Sequence, residues 1–239
     1  MSLSQDPAFS LLKNDFVVGT RDITGEPWSG FSGTHSLEAG AVVTTNGAGP
    51  HNIQMFVMAP DKTVLTVLPG YWNPEDLAFE LKVANELYAV WKDPKLTRAQ
   101  KDAKFAAAHL GHITDHPQAM VRRSQMQGFD QKFEAKQRLA SSDTILSTTG
   151  GKMGGPVFKT TDVIFHERLA RQPFAKYEEF DVVSFSDYGR AKYDKKEEGS
   201  GPVVDLRPET TAKQKQRQLM LEKRKQQMQN RQKRGGRKG

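Results

Sequence analysis

Residues 46–92 read NGAGPHNIQMFVMAPDKTVLTVLPGYWNPEDLAFELKVANELYAVWK, and the rest of the chain either approaches this unit or leaves it. A Gly-Pro turn leads into an apolar run over 52–58, whose composition and length predict a strand. Pro60-Asp61-Lys62 is a hairpin-type turn, and a second strand is expected over 63–68, so the two should pair antiparallel. Pro69-Gly70 breaks the chain. Asn73 then offers an N-cap, Pro74 suits the first helical position, and Glu75 and Asp76 complement the positive end of the helix dipole. Leu77, Leu81, Ala84, Leu87, Tyr88 and Trp91 recur at three- and four-residue steps and predict one apolar helical face.

Upstream, Asp6 and Pro7 predict the start of a short helix over 6–13, and Phe16-Val17-Val18-Gly19-Thr20 reads as a buried strand. Residues 21–50 are Gly-, Ser- and Thr-rich. Pro50 fixes the entry of the strand that follows and is a candidate for a cis peptide bond. Downstream, Asp93-Pro94 ends the long helix. A further helix is expected over 97–116, broken or kinked near Gly111 and ended by Pro117. Residues 118–138 read as a charged, Gln-rich helical stretch, 141–156 as a loop, and 161–171 as a helix opened by Asp162. Aromatics crowd 174–193 (Phe174, Tyr177, Phe180, Phe185, Tyr188, Tyr193) and are expected to pack onto the main body.

Composition narrows the classes. Apolar content of 36% and a mean hydropathy of −0.65 are low for a wholly packed chain of 239 residues. Residues 213–239 carry 11 of the chain's 35 Lys/Arg and one acid, Glu222, so the other 212 residues hold 24 basic and 27 acidic side chains. The body is mildly acidic and only the tail is basic. The chain has no cysteine, which excludes disulfides, thiolate metal sites and thiol catalysis for the residues given. No apolar run approaches the roughly 18 residues of a membrane span, and a soluble, cytoplasmic protein is expected.

The order short helix, strand, Gly/Pro turn, two antiparallel strands and amphipathic helix resembles most of a thioredoxin-like domain. DPAFSLLKNDFVVGTRDI resembles that family's helix remnant and strand. GPHNIQMFV places Pro50 where the family has a proline opening its third core strand. APDKTVLTVL and PGYWNPEDLAFEL resemble the second strand of the pair and the glycine before the last helix. The resemblance covers residues 6–92. It implies an incomplete thioredoxin-like α/β fold, a mixed sheet with flanking helices, followed by a helical and irregular extension and a disordered basic tail. The expected divisions are 1–92, 93–193, a linker at 194–212, and the tail at 213–239.

The family's Cys-x-x-Cys opens the helix before the strand that residues 16–20 would form. Only 15 residues precede Phe16 here, and none is Cys. The expectation is a redox-inactive module for protein binding or scaffolding, without a cofactor. One alternative is a thiol-disulfide oxidoreductase with a mis-assigned start. Another is an RNA- or polyanion-binding protein acting through its tail. The resemblance also makes Ala48, Gly49, Pro50 and His51 candidates for docking an extended peptide by strand addition, against a purely structural turn.

His109, His112 and His116 fall at i, i+3 and i+7 with Asp115 beside them, a face that could bind zinc if the helix is continuous. Gly111 and Pro117 favour an ordinary polar helix surface instead, so no metal site is expected. Gly150-Gly151-Lys152-Met153-Gly154-Gly155 fails as a phosphate loop, because Leu146 and Met153 stand where Gly and Ser/Thr are required. In the tail, Arg217, Lys223, Arg224, Lys225, Arg231, Lys233, Arg234, Arg237 and Lys238 suit counterion-release binding to a polyanion. They lack interleaved aromatics for base stacking.

Overall fold

The two apolar runs of the central stretch form a hairpin, β1 (Gln54–Met58) and β2 (Val64–Pro69), paired antiparallel with a bulge between Val57 and Met58. In its turn, Lys62 takes a left-handed φ of 62° and Asp61 Oδ1 accepts the Thr63 N–H at 3.2 Å. The computed structural model describes residues 2–23, 25–26, 28–29, 45–48, 53–137 and 143–189. Contacts group Met1–Gly201 into one compact unit, whereas the second unit, Pro202–Gly239, lies outside the described residues. The linker over 194–212 and every basic residue of the tail therefore fall outside them too.

Gly70 connects the hairpin to the next helix with φ of 69°, and a Cβ there would meet the Ala48 carbonyl oxygen at 2.3 Å, so only glycine fits. Helix α2 (Pro74–Lys92) starts as its sequence directs: Asn73 Oδ1 accepts the Glu75 N–H at 3.0 Å and Pro74 takes the first turn. It packs on β1, β2 and α1 (Ala8–Asp15). Helix α3 (Arg98–Asp115) opens with a reciprocal Thr97–Gln100 capping box and lies against α2. Two shorter helices follow, α4 (Gln118–Arg123) and α5 (Gly128–Gln137). Within the loop expected over 141–156, three residues form β3 (Ile145–Ser147), which pairs antiparallel with β4 (Val157–Phe158) just beyond it. Helix α6 (Thr161–Leu169) contacts both α3 and β2, and α7 (Val182–Phe185) closes the described part. No helix among the described residues is long and apolar enough to cross a membrane.

All six residues of β2 are buried, and one apolar cluster joins them to α2, α3, α6 and the aromatic segment near the end of the unit. Phe174, Phe180, Phe185 and Tyr188 are buried in it, as their crowding in the sequence implied, and Phe56 meets Tyr177 and Phe180 edge-on at 5.0 and 5.7 Å. The same segment supplies the hairpin with a neighbour. Val64 N–H donates to the Ala175 carbonyl at 2.8 Å, Tyr177 N–H donates to the Lys62 carbonyl at 2.9 Å, and Thr63 bridges Lys176 antiparallel.

Several expectations are corrected. Residues 16–20 form no strand. They leave α1 with Phe16 extended, Val17 fully exposed and Val18 67% exposed, and no strand among the described residues pairs with them. The described sheets are two antiparallel pairs, with no parallel pairing among them, so the chain is mixed α/β rather than the mixed sheet expected. Gly111 does not break α3, because its Cβ position faces open space and the capping box and flanking alanines carry the helix through. Asp6 caps less directly than expected. Pro7 occupies the N-cap position, while Asp6 Oδ1 accepts the Ser10 N–H at 3.1 Å.

Asn46 fastens three parts of this unit. Its Nδ2 donates to Asp76 Oδ2 at 2.6 Å, its Oδ1 accepts the Asn73 N–H at 2.9 Å, and its backbone N–H donates to the Arg123 carbonyl at 2.9 Å. The side chain is wholly buried. Asn46→Ala strands the part-buried Asn73 N–H and removes a partner of the buried Asp76 carboxylate. Urea unfolding should show a loss of roughly 2–4 kcal/mol. A loss under about 0.5 kcal/mol would mean that water replaces the amide.

Candidate metal centre

Three helices meet at a group of four titratable side chains, three of them buried, that could hold a metal ion. Glu80 comes from the middle of α2, His112 from α3, His116 from the residue capping α3, and His166 from α6. One donor atom from each lies within 4.8 Å of every other. The side chains of Glu80, His116 and His166 are fully buried and that of His112 is 11% exposed.

The separations suit a small ion. Glu80 Oε2 lies 3.0 Å from His166 Nε2 and 3.4 Å from His112 Nε2, and Glu80 Oε1 lies 3.2 Å from His116 Nε2. A tetrahedral ion with bonds of about 2.0–2.1 Å places its donors roughly 3.3–3.4 Å apart. Proximity alone does not satisfy these atoms. His112 Nε2, His116 Nε2 and Glu80 Oε1 make no hydrogen bond, and their approaches at 3.2 and 3.4 Å are those of ion pairs. Buried polar atoms without partners are uncommon and costly, and three of them converging on one point ask for something between them.

The chain dictates the orientation of the rings. The Leu65 carbonyl can only accept, so the His109 Nε2–H donates to it at 3.2 Å. Burial, followed by the charge of His166, holds the pKa of His109 well below its usual value, so its ring is neutral and its Nδ1 is an acceptor. His166 Nδ1, 2.9 Å away, must then carry the proton that joins the two rings, which leaves His166 Nε2 turned toward Glu80. On the other side, His116 Nδ1–H donates to Asp162 Oδ2 at 2.7 Å, which again leaves Nε2 facing inward.

Charge follows the same logic. Burial opposes ionisation of Glu80, but the charge of His166 and the adjacent rings of His112 and His116 outweigh it and hold the carboxyl well below its usual range. Asp162, bonded to His116, is a further wholly buried carboxylate at this site. Burial also opposes a charge on His116, yet Asp162 and Glu80 prevail and push it up to about 9. A proton on His116 therefore offsets part of the negative charge of Glu80 and Asp162. A divalent ion with three neutral imidazoles balances Glu80 and Asp162 with no net charge left over.

Aromatic rings wall the site. Phe79 stacks on His112 with centroids 4.8 Å apart and meets His116 edge-on at 5.9 Å, while Phe105 covers His109 at 4.5 Å. A groove of about 370 Å³ runs between α1 and α2 and includes Phe79, but none of the four donor residues lines it.

Of the three histidines on the α3 face, His112 and His116 enter the centre. His109 stands behind it, bonded to His166 instead of facing the site. Glu80 and His166 carry no motif in the sequence, and Asp162 reads there as a helix opener. A signal for Glu80 existed: it falls with Leu77, Ala84 and Leu87 on the apolar stripe of α2, where a carboxylate needs a partner. Ala48 is buried, its N–H donating to the Thr45 carbonyl and its carbonyl accepting from Tyr71 N–H, both at 3.0 Å. Both backbone groups are thus engaged within the chain, while Gly49, Pro50 and His51 lie outside the described residues.

The class of site defined here is a buried three-histidine, one-carboxylate centre. Comparisons with protein-family models, with curated proteins and with solved structures find no match for the chain.

Proposed function

We propose that this chain is a metalloprotein module in which Glu80, His112, His116 and His166 hold one divalent transition-metal ion. The observation that carries this reading is the convergence within 4.8 Å of donor atoms from four residues, at which His112 Nε2, His116 Nε2 and Glu80 Oε1 lack a hydrogen-bond partner. Imidazole-rich sets with one carboxylate and no thiolate suit zinc and its first-row neighbours. Four protein donors around a point with almost no solvent access form a closed set, which favours zinc in a structural role over a centre with an open position for substrate. The ion would tie α3 and α6 to α2, so it would act on the fold as a clasp.

The scaffold so clasped is read as a protein-binding module that resembles thioredoxin-like domains without dithiol chemistry. The hairpin, Gly70 break and N-capped helix support that resemblance, and the absence of cysteine excludes thiol turnover by the residues given.

Elemental analysis tests the metal reading. Tag-free chain, exposed to excess zinc and desalted, should retain about one equivalent per molecule, because a closed four-donor site releases its ion slowly. Retention below about a tenth of an equivalent would sink the proposal.

A further inference from the structure

Two groups outside the four donor residues bond the other nitrogen of two of the three rings. A histidine can present either nitrogen to an ion, and the hydrogen bond made by the other nitrogen fixes the choice. His166 and His116 are each held from outside by a different partner. His166 Nδ1 meets His109 Nδ1 at 2.9 Å, and His109 is itself anchored through Nε2 to the Leu65 carbonyl at 3.2 Å. His116 Nδ1 meets Asp162 Oδ2 at 2.7 Å. His109, His166, Asp162 and the His116 side chain are all buried, so water does not compete for these bonds.

We infer that His109 and Asp162 are positioning residues that lock His166 and His116 in the tautomer whose Nε2 lone pair is aimed at the ion. This inference rests on the reading of Glu80, His112, His116 and His166 as donors. The two locks differ in kind. Asp162 brings a negative charge as well as an acceptor, so it also contributes to the charge balance around a dication. His109 brings only an acceptor, and it connects the centre to a backbone carbonyl of β2 that has a side chain for a partner. The chain from Leu65 through His109 and His166 therefore runs from the hairpin to the ion in two hydrogen bonds.

The test uses the full chain and zinc alone. The affinity of the wild type, His109→Leu, His109→Gln, Asp162→Leu and Asp162→Asn is measured by competition with a chromophoric chelator. Leucine removes the acceptor, and removal of such a supporting partner typically weakens metal binding about 10–100-fold. Glutamine at 109 can donate its amide N–H to Leu65 and accept from His166 through its carbonyl, and asparagine at 162 can still accept from His116. His109→Gln should stay within about threefold of wild type, and Asp162→Asn should fall between wild type and Asp162→Leu, because it keeps the acceptor and loses the charge. A merely structural role would not reproduce that rescue. Equal affinity of His109→Leu and wild type would overturn the inference for His109 while leaving the centre intact.

A second measurement does not depend on the variants folding. Long-range proton–nitrogen correlation spectra of the zinc-loaded wild type should show His116 and His166 protonated at Nδ1 and metal-bound at Nε2. Metal at Nδ1 of either ring would overturn the inference, yet would still confirm a metal centre. Failure of the wild type to bind zinc at all would remove the centre itself, and the positioning roles with it.

Discussion

The Glu80→Gln chain should bind zinc at least about 100-fold more weakly than the wild type, a loss at or beyond the upper end of what removal of a supporting partner costs. The substitution keeps the size of the side chain, so the packing of α2 against α3 is preserved and the effect is electrostatic and coordinative. Glu80 is the one donor residue whose two oxygens both face histidines, with Oε2 toward His112 and His166 and Oε1 toward His116. An amide supplies one neutral oxygen, and its nitrogen brings protons to a place where imidazole lone pairs converge. It also leaves a dication opposite Asp162 alone, with one positive charge uncompensated in a dry interior. Competition with a chelator measures the change, and a Kd within threefold of wild type would remove Glu80 from the centre.

Zinc should raise the melting temperature of the metal-stripped chain by about 8–16 °C. Free zinc at roughly 1,000 times its Kd stabilises the folded state by about 4 kcal/mol through mass action. For a cooperative unit of roughly 200 residues, each kcal/mol moves the midpoint by about 2–4 °C. The compact unit has that size, spanning Met1–Gly201. Scanning calorimetry with and without zinc, followed by excess chelator, should show a reversible shift. His166→Ala should lose nearly all of it. A wild-type midpoint that zinc leaves unmoved would mean that the ion, if it binds, does not hold the helices together.

The legible parts of this fold were those governed by neighbours in sequence. Asn73 and Pro74 announced the start of α2, because an N-cap is satisfied by amides two residues away. The hairpin was legible because its turn residues and apolar runs are adjacent. Residues 16–20 misled for the opposite reason: Val17 and Val18 have strand composition, but a strand exists only where another backbone pairs with it. Gly111 misled because a glycine at an exposed helix position costs only about 1 kcal/mol, which the rest of α3 absorbs.

The centre was legible only along one helix. The spacing of His112 and His116 put both on one face of α3, and that much follows from helical periodicity. Nothing local relates either to Glu80 or to His166, which lies 86 residues from Glu80 along the chain. The face of α3 also carries His109, which spacing cannot distinguish from a donor. Only the carbonyl of Leu65 on one side and Nδ1 of His166 on the other show that its two nitrogens are already committed.

The pairing of the hairpin with the Ala175–Tyr177 segment sets a timetable for biosynthesis. Val64 leaves the ribosome about 110 residues before its partner Ala175, an interval of roughly 5–20 s at ordinary elongation rates. Throughout that interval the Lys62–Val64 end of the hairpin lacks its backbone partner, and the rings of Phe174, Phe180 and Phe185 that cover the unit do not yet exist. The nascent chain carries that unpaired hairpin end and an uncovered apolar face for seconds, so slow translation beyond residue 92 lengthens the period of greatest exposure to misassembly.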